Sequence, residues 1–146
     1  MTTRQASIQD IAQLAILLAE YRVFYQKSFN PEAAKKFLQE RMINQDSMIF
    51  IAFDDGKYAG FTQLYPSFSS VGMKKIWILN DLFVAPGDRQ KGIAPALINH
   101  VLGYSKETGR KKVVLSTAYD NFNAQKLYKK LGFTRSDFNN YEIEVA

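Results

Sequence analysis

Apolar residues recur at helical spacing near the start of the chain: Ile11, Leu14, Leu18, Tyr21 and Tyr25 fall along one side of a 3.6-residue period. Ser7-Ile8-Gln9-Asp10 has the form of an N-cap followed three residues later by an acid, so the spacing predicts a helix from there. Asn30-Pro31 supplies a cap and a first-turn proline for a second helix through about Met42, with Phe37, Leu38 and Met42 as its buried side. The period then changes. Met48 to Phe53 is a short apolar run, Asp54-Asp55-Gly56-Lys57 is turn chemistry, and Tyr58 to Tyr65 is rich in strand formers, which together predict a β-hairpin. Beyond a loop through Pro66, Ser69, Ser70 and Gly72, Lys75 to Val84 reads as an apolar strand ended by Pro86-Gly87. Ala94, Leu97, Ile98, Val101 and Leu102 mark a third helix from Gly92 to about Thr108, stopped by Gly109. Lys112 to Thr117 is a buried strand, Asn121 to Leu131 a last helix ending at Gly132, and two final strands are expected around Phe133 to Arg135 and Tyr141 to Val145.

A strand, helix, strand succession implies a parallel crossover, and the hairpin implies an antiparallel portion. The expected fold is therefore α/β with a mixed sheet and helices on both faces. Neither repeat nor linker interrupts the pattern, and 146 residues suit one domain in which substrate and cofactor share a single cleft.

Composition narrows the chemistry. The chain has no cysteine, which excludes a disulfide framework, a thiolate metal site and a cysteine nucleophile. Its net charge of +5 favours anionic partners. The basic residues are scattered in pairs such as Lys35/Lys36 and Lys111/Lys112, without the long run of a nucleic-acid arm, so a phosphorylated small molecule fits better. The start of the chain lacks a signal-peptide core and no stretch has the length of a membrane span, so a cytoplasmic protein with no membrane partner is expected.

The stretch Val84-Ala85-Pro86-Gly87-Asp88-Arg89-Gln90-Lys91-Gly92-Ile93-Ala94 runs from the end of a strand into the start of a helix. First-turn NH groups there lack carbonyl partners and, with the helix dipole, make an anion site. Gly92 and the small Ala94 let a phosphate come close, and Arg89 and Lys91 add positive charge. The loop has neither the Gly-Lys-Ser/Thr end of a nucleotide-metal loop nor the Gly-x-Gly-x-x-Gly of dinucleotide folds, so a metal-free phosphorylated ligand is implied. The plain alternative is a glycine opening a helix beside a basic surface loop.

Arg89-x-x-Gly92-x-Ala94 following Leu82-x-Val84 resembles the acetyl-CoA signature of the GNAT acetyltransferase superfamily, with Ala94 in place of the second glycine. Asn121-x-x-Ala124-x-x-Leu127-Tyr128-x-Lys130-x-Gly132-Phe133 resembles that family's later motif. The resemblance covers nearly the whole chain and extends to some diamine acetyltransferase-like members. It implies a mostly antiparallel sheet of about six or seven strands, splayed between the strand ending at Val84 and the strand Lys112 to Thr117. Acetyl-CoA would lie in that gap as co-substrate, its pantetheine on the backbone of Leu82, Phe83 and Val84 and its pyrophosphate on Arg89, Gln90, Lys91, Gly92, Ile93 and Ala94. Asn121 and Asn123 would also touch it. The resemblance further implies that Tyr128 protonates the departing thiolate; the alternative is an aromatic that simply packs.

Direct transfer from a thioester needs a neutral amine, a polarised carbonyl and a proton for the leaving thiolate, with no covalent intermediate. The general base is open. Strand alternation puts Ile78, Asn80, Leu82 and Val84 on one face and Leu79, Asp81 and Phe83 on the other. Asn80 stands where some relatives carry Glu and cannot itself take a proton, so a water chain serves, or Asp81 does if a bulge turns it inward. His100 is off the apolar stripe of its helix and is expected on the solvated surface. The acceptor should meet aromatic walls drawn from Tyr21, Phe24, Tyr25, Tyr65, Phe68 and Trp77, of which Tyr21, Tyr25 and Tyr65 are the expected pocket residues. The sequence thus points to an acetyl-CoA-dependent N-acetyltransferase acting on a small amine such as an amino acid or polyamine. Acetylation of a protein or peptide amine, a CoA-binding domain without turnover, and a nucleic-acid module are the alternatives, and a homodimer is the expected assembly if the chain associates.

Overall fold

The computed structural model describes residues 1–146. The chain resolves into two compact units, Met1–Ser116 and Thr117–Ala146.

The first unit is built on five strands: β1 (Thr2–Gln5), β2 (Met48–Asp54), β3 (Lys57–Ser69), β4 (Lys74–Val84) and β5 (Lys112–Leu115), lying side by side in that order. β1 to β4 are antiparallel neighbours and β5 joins β4 in parallel. The sequence pattern did not reveal β1, whose Thr-Thr-Arg-Gln carries no apolar alternation and which exists because β2 offers it an edge. Three helices belong to this unit: α1 (Ile11–Phe24), α2 (Pro31–Asn44) and α3 (Ile93–Glu107).

Strand alternation distributes the core. Ile49, Ile51, Phe61 and Phe83 form one buried layer with Leu14, Leu17 and Leu18 of α1 and Leu38 of α2. On the other face Phe50 meets the rings of His100 and Tyr104 of α3, whose Leu97, Ile98 and Val101 are fully buried. Gly60 is required where the layers close, because a Cβ there would stand 2.6 Å from the Phe83 carbonyl oxygen. Phe37, expected inside, lies on the outer side of α2 beneath the Arg41 guanidinium, so the inner side of that helix is Ala34 and Leu38, with Met42 packed against the same core. His100 is not a solvated surface histidine. Its Nδ1 lies 2.7 Å from Thr3 Oγ1 and its ring stacks 4.5 Å from Phe50, so it helps hold α3 on β1 and β2.

One irregularity reorganises β4. Gln63 faces Asp81 and the adjacent Leu64 faces Leu79, so Asn80 has no partner and forms a bulge. The bulge breaks the simple alternation predicted from sequence. Leu79 follows Trp77 on the α3 face, whereas Asp81 and Phe83 turn to the face covered by α1. Leu82 and Val84 consequently share the α3 face, and Ile78, opposite Tyr65, no longer lies with them. Thr62 Oγ1 donates to the Asp81 carbonyl at 2.8 Å, satisfying a group the irregular ladder would leave exposed.

Pairing of β4 with β5 ends at Leu79 and Leu115, at the same bulge. From Asn80 to Val84 the strand is laddered to β3 alone, which is the expected splay.

The second unit holds α4 (Phe122–Lys130), capped by Asn121 Oδ1, which accepts from Ala124 N at 3.2 Å. The two strands expected around 133–135 and 141–145 do not form, so the sheet has five strands rather than six or seven. Tyr141, Ile143 and Val145 alternate as a strand would, yet a strand exists only as part of a ladder and no backbone pairs with them.

Candidate acetyl-transfer site

The loop after β4 has the shape the sequence suggested. Gln90 and Gly92 both adopt left-handed backbone, with φ of 63° and 81°, which folds the chain back before α3 begins at Ile93. Ala96 N is the first amide of α3 to bond back, to Gly92 O at 3.1 Å, and Pro95 has no NH, so the donors at this end are the amides of Gly92, Ile93 and Ala94. The same residues line an open cavity of about 450 Å³ together with Val84, Asp88, Arg89, Gln90 and Pro95. A helix N-terminus of this kind favours a phosphate through both its NH groups and its dipole.

The two basic side chains of the loop differ. Arg89 Nε donates to Val84 O at 3.2 Å, and its guanidinium lies 5.9 Å from the centre of the Phe83 ring. Lys91 is instead held by two carboxylates, Asp54 and Asp88, each 3.3 Å away, which raises its pKa. Its charge is thus largely spent in tying the loop to the β2–β3 hairpin.

Across the sheet from this loop, on the α1 face, the bulge gathers a polar cluster in an otherwise apolar layer. Gln63 Nε2 donates to Tyr65 Oη at 2.7 Å and to Asp81 Oδ2 at 3.2 Å. Asn80 Nδ2 donates to the same Asp81 oxygen at 3.1 Å. Tyr21 packs edge-on against Tyr25 at 5.2 Å and against Phe61 at 5.8 Å. Burial, reinforced by the nearby Asp81 charge, raises the Tyr21 phenol well above its ordinary pKa and pushes Tyr65 up to about 12. Both hydroxyls therefore remain protonated at neutral pH. No lysine or arginine pairs with Asp81.

Of the predicted acceptor residues, Tyr21 and Tyr65 are brought together with Asn80 and Asp81, whereas Tyr25 is 55% exposed and reaches the cluster only through the Tyr21 ring. Trp77 is not a wall of this cluster. It lies on the opposite face, packed against Tyr104 with Arg110 4.3 Å over its ring. Phe24 and Phe68 are largely exposed. Sequence reasoning missed Gln63, which is 1% exposed and whose Oε1 has no hydrogen-bond partner. A polar residue inside the run Phe61-Thr62-Gln63-Leu64 of a central strand was the available signal. An unpartnered buried acceptor costs about 1–3 kcal/mol, a price tolerated where function needs it.

In the second unit, Tyr128 contacts the Phe133 ring edge-on at 5.9 Å. Asn121 serves as the helix cap, and Asn123 is exposed on the first turn of α4.

Residues 14–133 match the Acetyltransferase (GNAT) family. The chain belongs to that family. It is 44% identical over 133 residues to the uncharacterized N-acetyltransferase YhfO of Bacillus subtilis, covering 91% of this chain and 89% of the relative. A solved structure described as a probable acetyltransferase superposes with a TM-score of 0.93 at 38% identity, covering 100% of this chain and 99% of the other. An aminoglycoside N(6')-acetyltransferase type 1 of Salmonella typhimurium is 27% identical over 112 residues, covering 74% of this chain and 77% of that one. The protein is thus an N-acetyltransferase of the GNAT fold, a family whose members use acetyl-CoA as co-substrate. No helix is long and apolar enough to cross a membrane.

Proposed function

We propose that this N-acetyltransferase binds acetyl-CoA at the loop Arg89 to Ala94 and along the open edge of β4, and transfers the acetyl group to the primary amine of a small molecule. The observation that carries the proposal is the bulge at Asn80. The β4 backbone from Asn80 to Val84 has no strand paired to it on one side, and the bulge turns a carboxylate into a tyrosine-lined cluster on the sheet.

The residues fit the co-substrate. Unpaired amides of Gly92, Ile93 and Ala94 would hold the pyrophosphate, with Arg89 and Gln90 beside it, while the β4 segment through Leu82, Phe83 and Val84 offers backbone groups to the pantetheine amides. Lys91 would act through the shape of the loop, since its ammonium already has two carboxylates. Asn121 and Asn123 are further contacts on the family motif. When bound, the thioester supplies an activated acetyl group.

Asp81 would accept the proton that the acceptor ammonium must lose, with Asn80 donating to the carboxylate rather than acting as a base itself. The amine nitrogen bonds to the acetyl carbon as the carbon–sulfur bond breaks. Tyr128, by its motif, would deliver a proton to the thiolate and regain one from solvent, which also takes the second proton the nitrogen sheds as the amide forms, so the products are an amide and free CoA. Tyr21, Tyr25 and Tyr65 suit a small cation through their ring faces. The likeness to an aminoglycoside acetyltransferase supports a small-molecule acceptor over a protein one. The family match over residues 14–133 supports reading the chain as a single N-acetyltransferase domain.

The test is CoA release from acetyl-CoA over a panel of L-lysine, spermidine, kanamycin, phenethylamine and a lysine-containing peptide, with isothermal titration of CoA. Binding of CoA with turnover of a small amine is expected. Turnover of the peptide alone would overturn the small-molecule assignment, and absence of any CoA binding would overturn the site.

A further inference from the structure

Gln63 occupies an unusual place: a wholly buried amide in a central strand, with its nitrogen shared between two other functional groups. An ionised carboxylate has no proton to give, so the amide atom facing Asp81 Oδ2 must be the nitrogen. The same nitrogen sends its second proton to Tyr65 Oη, 2.7 Å away. Tyr65 is thereby the acceptor in that bond, and its own hydroxyl proton has to point elsewhere. Gln63 thus fixes the position of the carboxylate and the direction of the phenol in one step.

We infer that Gln63 is the positioning residue of the acceptor subsite: its amide fixes the Asp81 carboxylate in place and turns the Tyr65 hydroxyl, so that the cluster presents a carboxylate without a cation to an acceptor that arrives as an ammonium ion. This rests on the acetyltransferase function proposed above. The groups around Asp81 are consistent with it. α1 contributes Tyr21, β3 contributes Gln63 and Tyr65, and β4 contributes Asn80, none of which carries a charge at neutral pH. The charges of Arg41 on α2 and Asp46 beyond it reach Tyr65 with opposite signs and are 3.3 Å from each other. Asp81 therefore has neutral donors and no cation, which is the vacancy an ammonium fills.

The experiment compares wild type with Gln63→Leu, which keeps the volume and removes the donors, and Gln63→Glu, which keeps the shape and sets a second carboxylate against Asp81. Titration of the Asp81 carboxyl is followed by 13C NMR of aspartate-labelled protein, assigned with Asp81→Asn, and needs no turnover. The midpoint should rise in Gln63→Leu and rise further, by more than about one pH unit, in Gln63→Glu, because like charges share a proton. Steady-state CoA release with the best amine of the panel should show kcat/KM for the amine falling about 10- to 100-fold in Gln63→Leu, with the acetyl-CoA KM within about twofold of wild type. Should Gln63→Leu not fold, Gln63→Asn, which withdraws the same amide, carries the same expectations. An unmoved Asp81 midpoint, or equal losses for amine and acetyl-CoA, overturns the positioning role. A wild type that releases no CoA with any amine sinks the proposed function instead, and the titration alone then judges the clamp.

Discussion

Two carboxylates, Asp10 and Asp81, sit in this sheet-and-helix unit under opposite conditions. Asp10 is 3% exposed and saturated: Arg4 donates to both its oxygens at 2.8 and 2.7 Å, Ser7 N at 2.8 Å and Tyr58 Oη at 2.8 Å. Its pKa is held well below the usual carboxylate range, chiefly by the hydrogen bonds from Arg4 and despite burial. Asp81 also receives hydrogen bonds, but only from neutral groups. A carboxylate with its own cation is finished and stabilises the fold, joining β1, the start of α1 and β3. A carboxylate held in place without a cation retains the capacity to bind one, and that capacity marks a site.

Exchanging the roles by mutation should give the largest effects. Asp81→Asn is expected to lower kcat/KM for the amine by on the order of 100-fold or more while leaving the melting temperature nearly unchanged. Asp10→Asn should do the reverse, costing about 2–4 kcal/mol in chemical denaturation while turnover per folded molecule stays the same. If Asp10→Asn lost activity out of proportion to stability, the division between the two clusters would be wrong.

Tyr128→Phe comes next, with kcat lowered on the order of 10- to 100-fold and CoA affinity retained by calorimetry. Unchanged turnover would remove Tyr128 from the proton transfer. A smaller effect is expected at the loop. Gly92→Ala places a side chain at φ 81°, which costs about 1–2 kcal/mol of backbone strain, and should weaken CoA about tenfold by disturbing the amides before α3.

Acid sharpens the comparison last. Because the folded pKa of Asp10 is depressed, its contribution to stability is fully present above the unfolded value of about 3.9 and fades as pH falls below that value toward the folded pKa. The stability gap between wild type and Asp10→Asn, measured by urea denaturation, should therefore be constant near neutrality and shrink below about pH 4. A gap that persisted undiminished at the lowest pH reached by the folded protein would contradict the ion pair as its source.

The amino-acid sequence by itself determined the period of each long element, the hairpin at Asp54 to Lys57, and the strand-to-helix loop with Gly92 at its turn. These depend on neighbours within a few residues, and local chemistry is written locally. It also carried both family motifs, and so the activity. Tertiary structure decided the rest. β1 has no apolar pattern and is a strand because β2 offers an edge, while 141–145 has the pattern and no ladder. The bulge at Asn80 arises from how β3 and β4 register, and it alone moved Asp81 from one face to the other. Gln63 gained its meaning only then, since a polar residue in a central strand becomes a clamp when the partner strand brings a carboxylate opposite it.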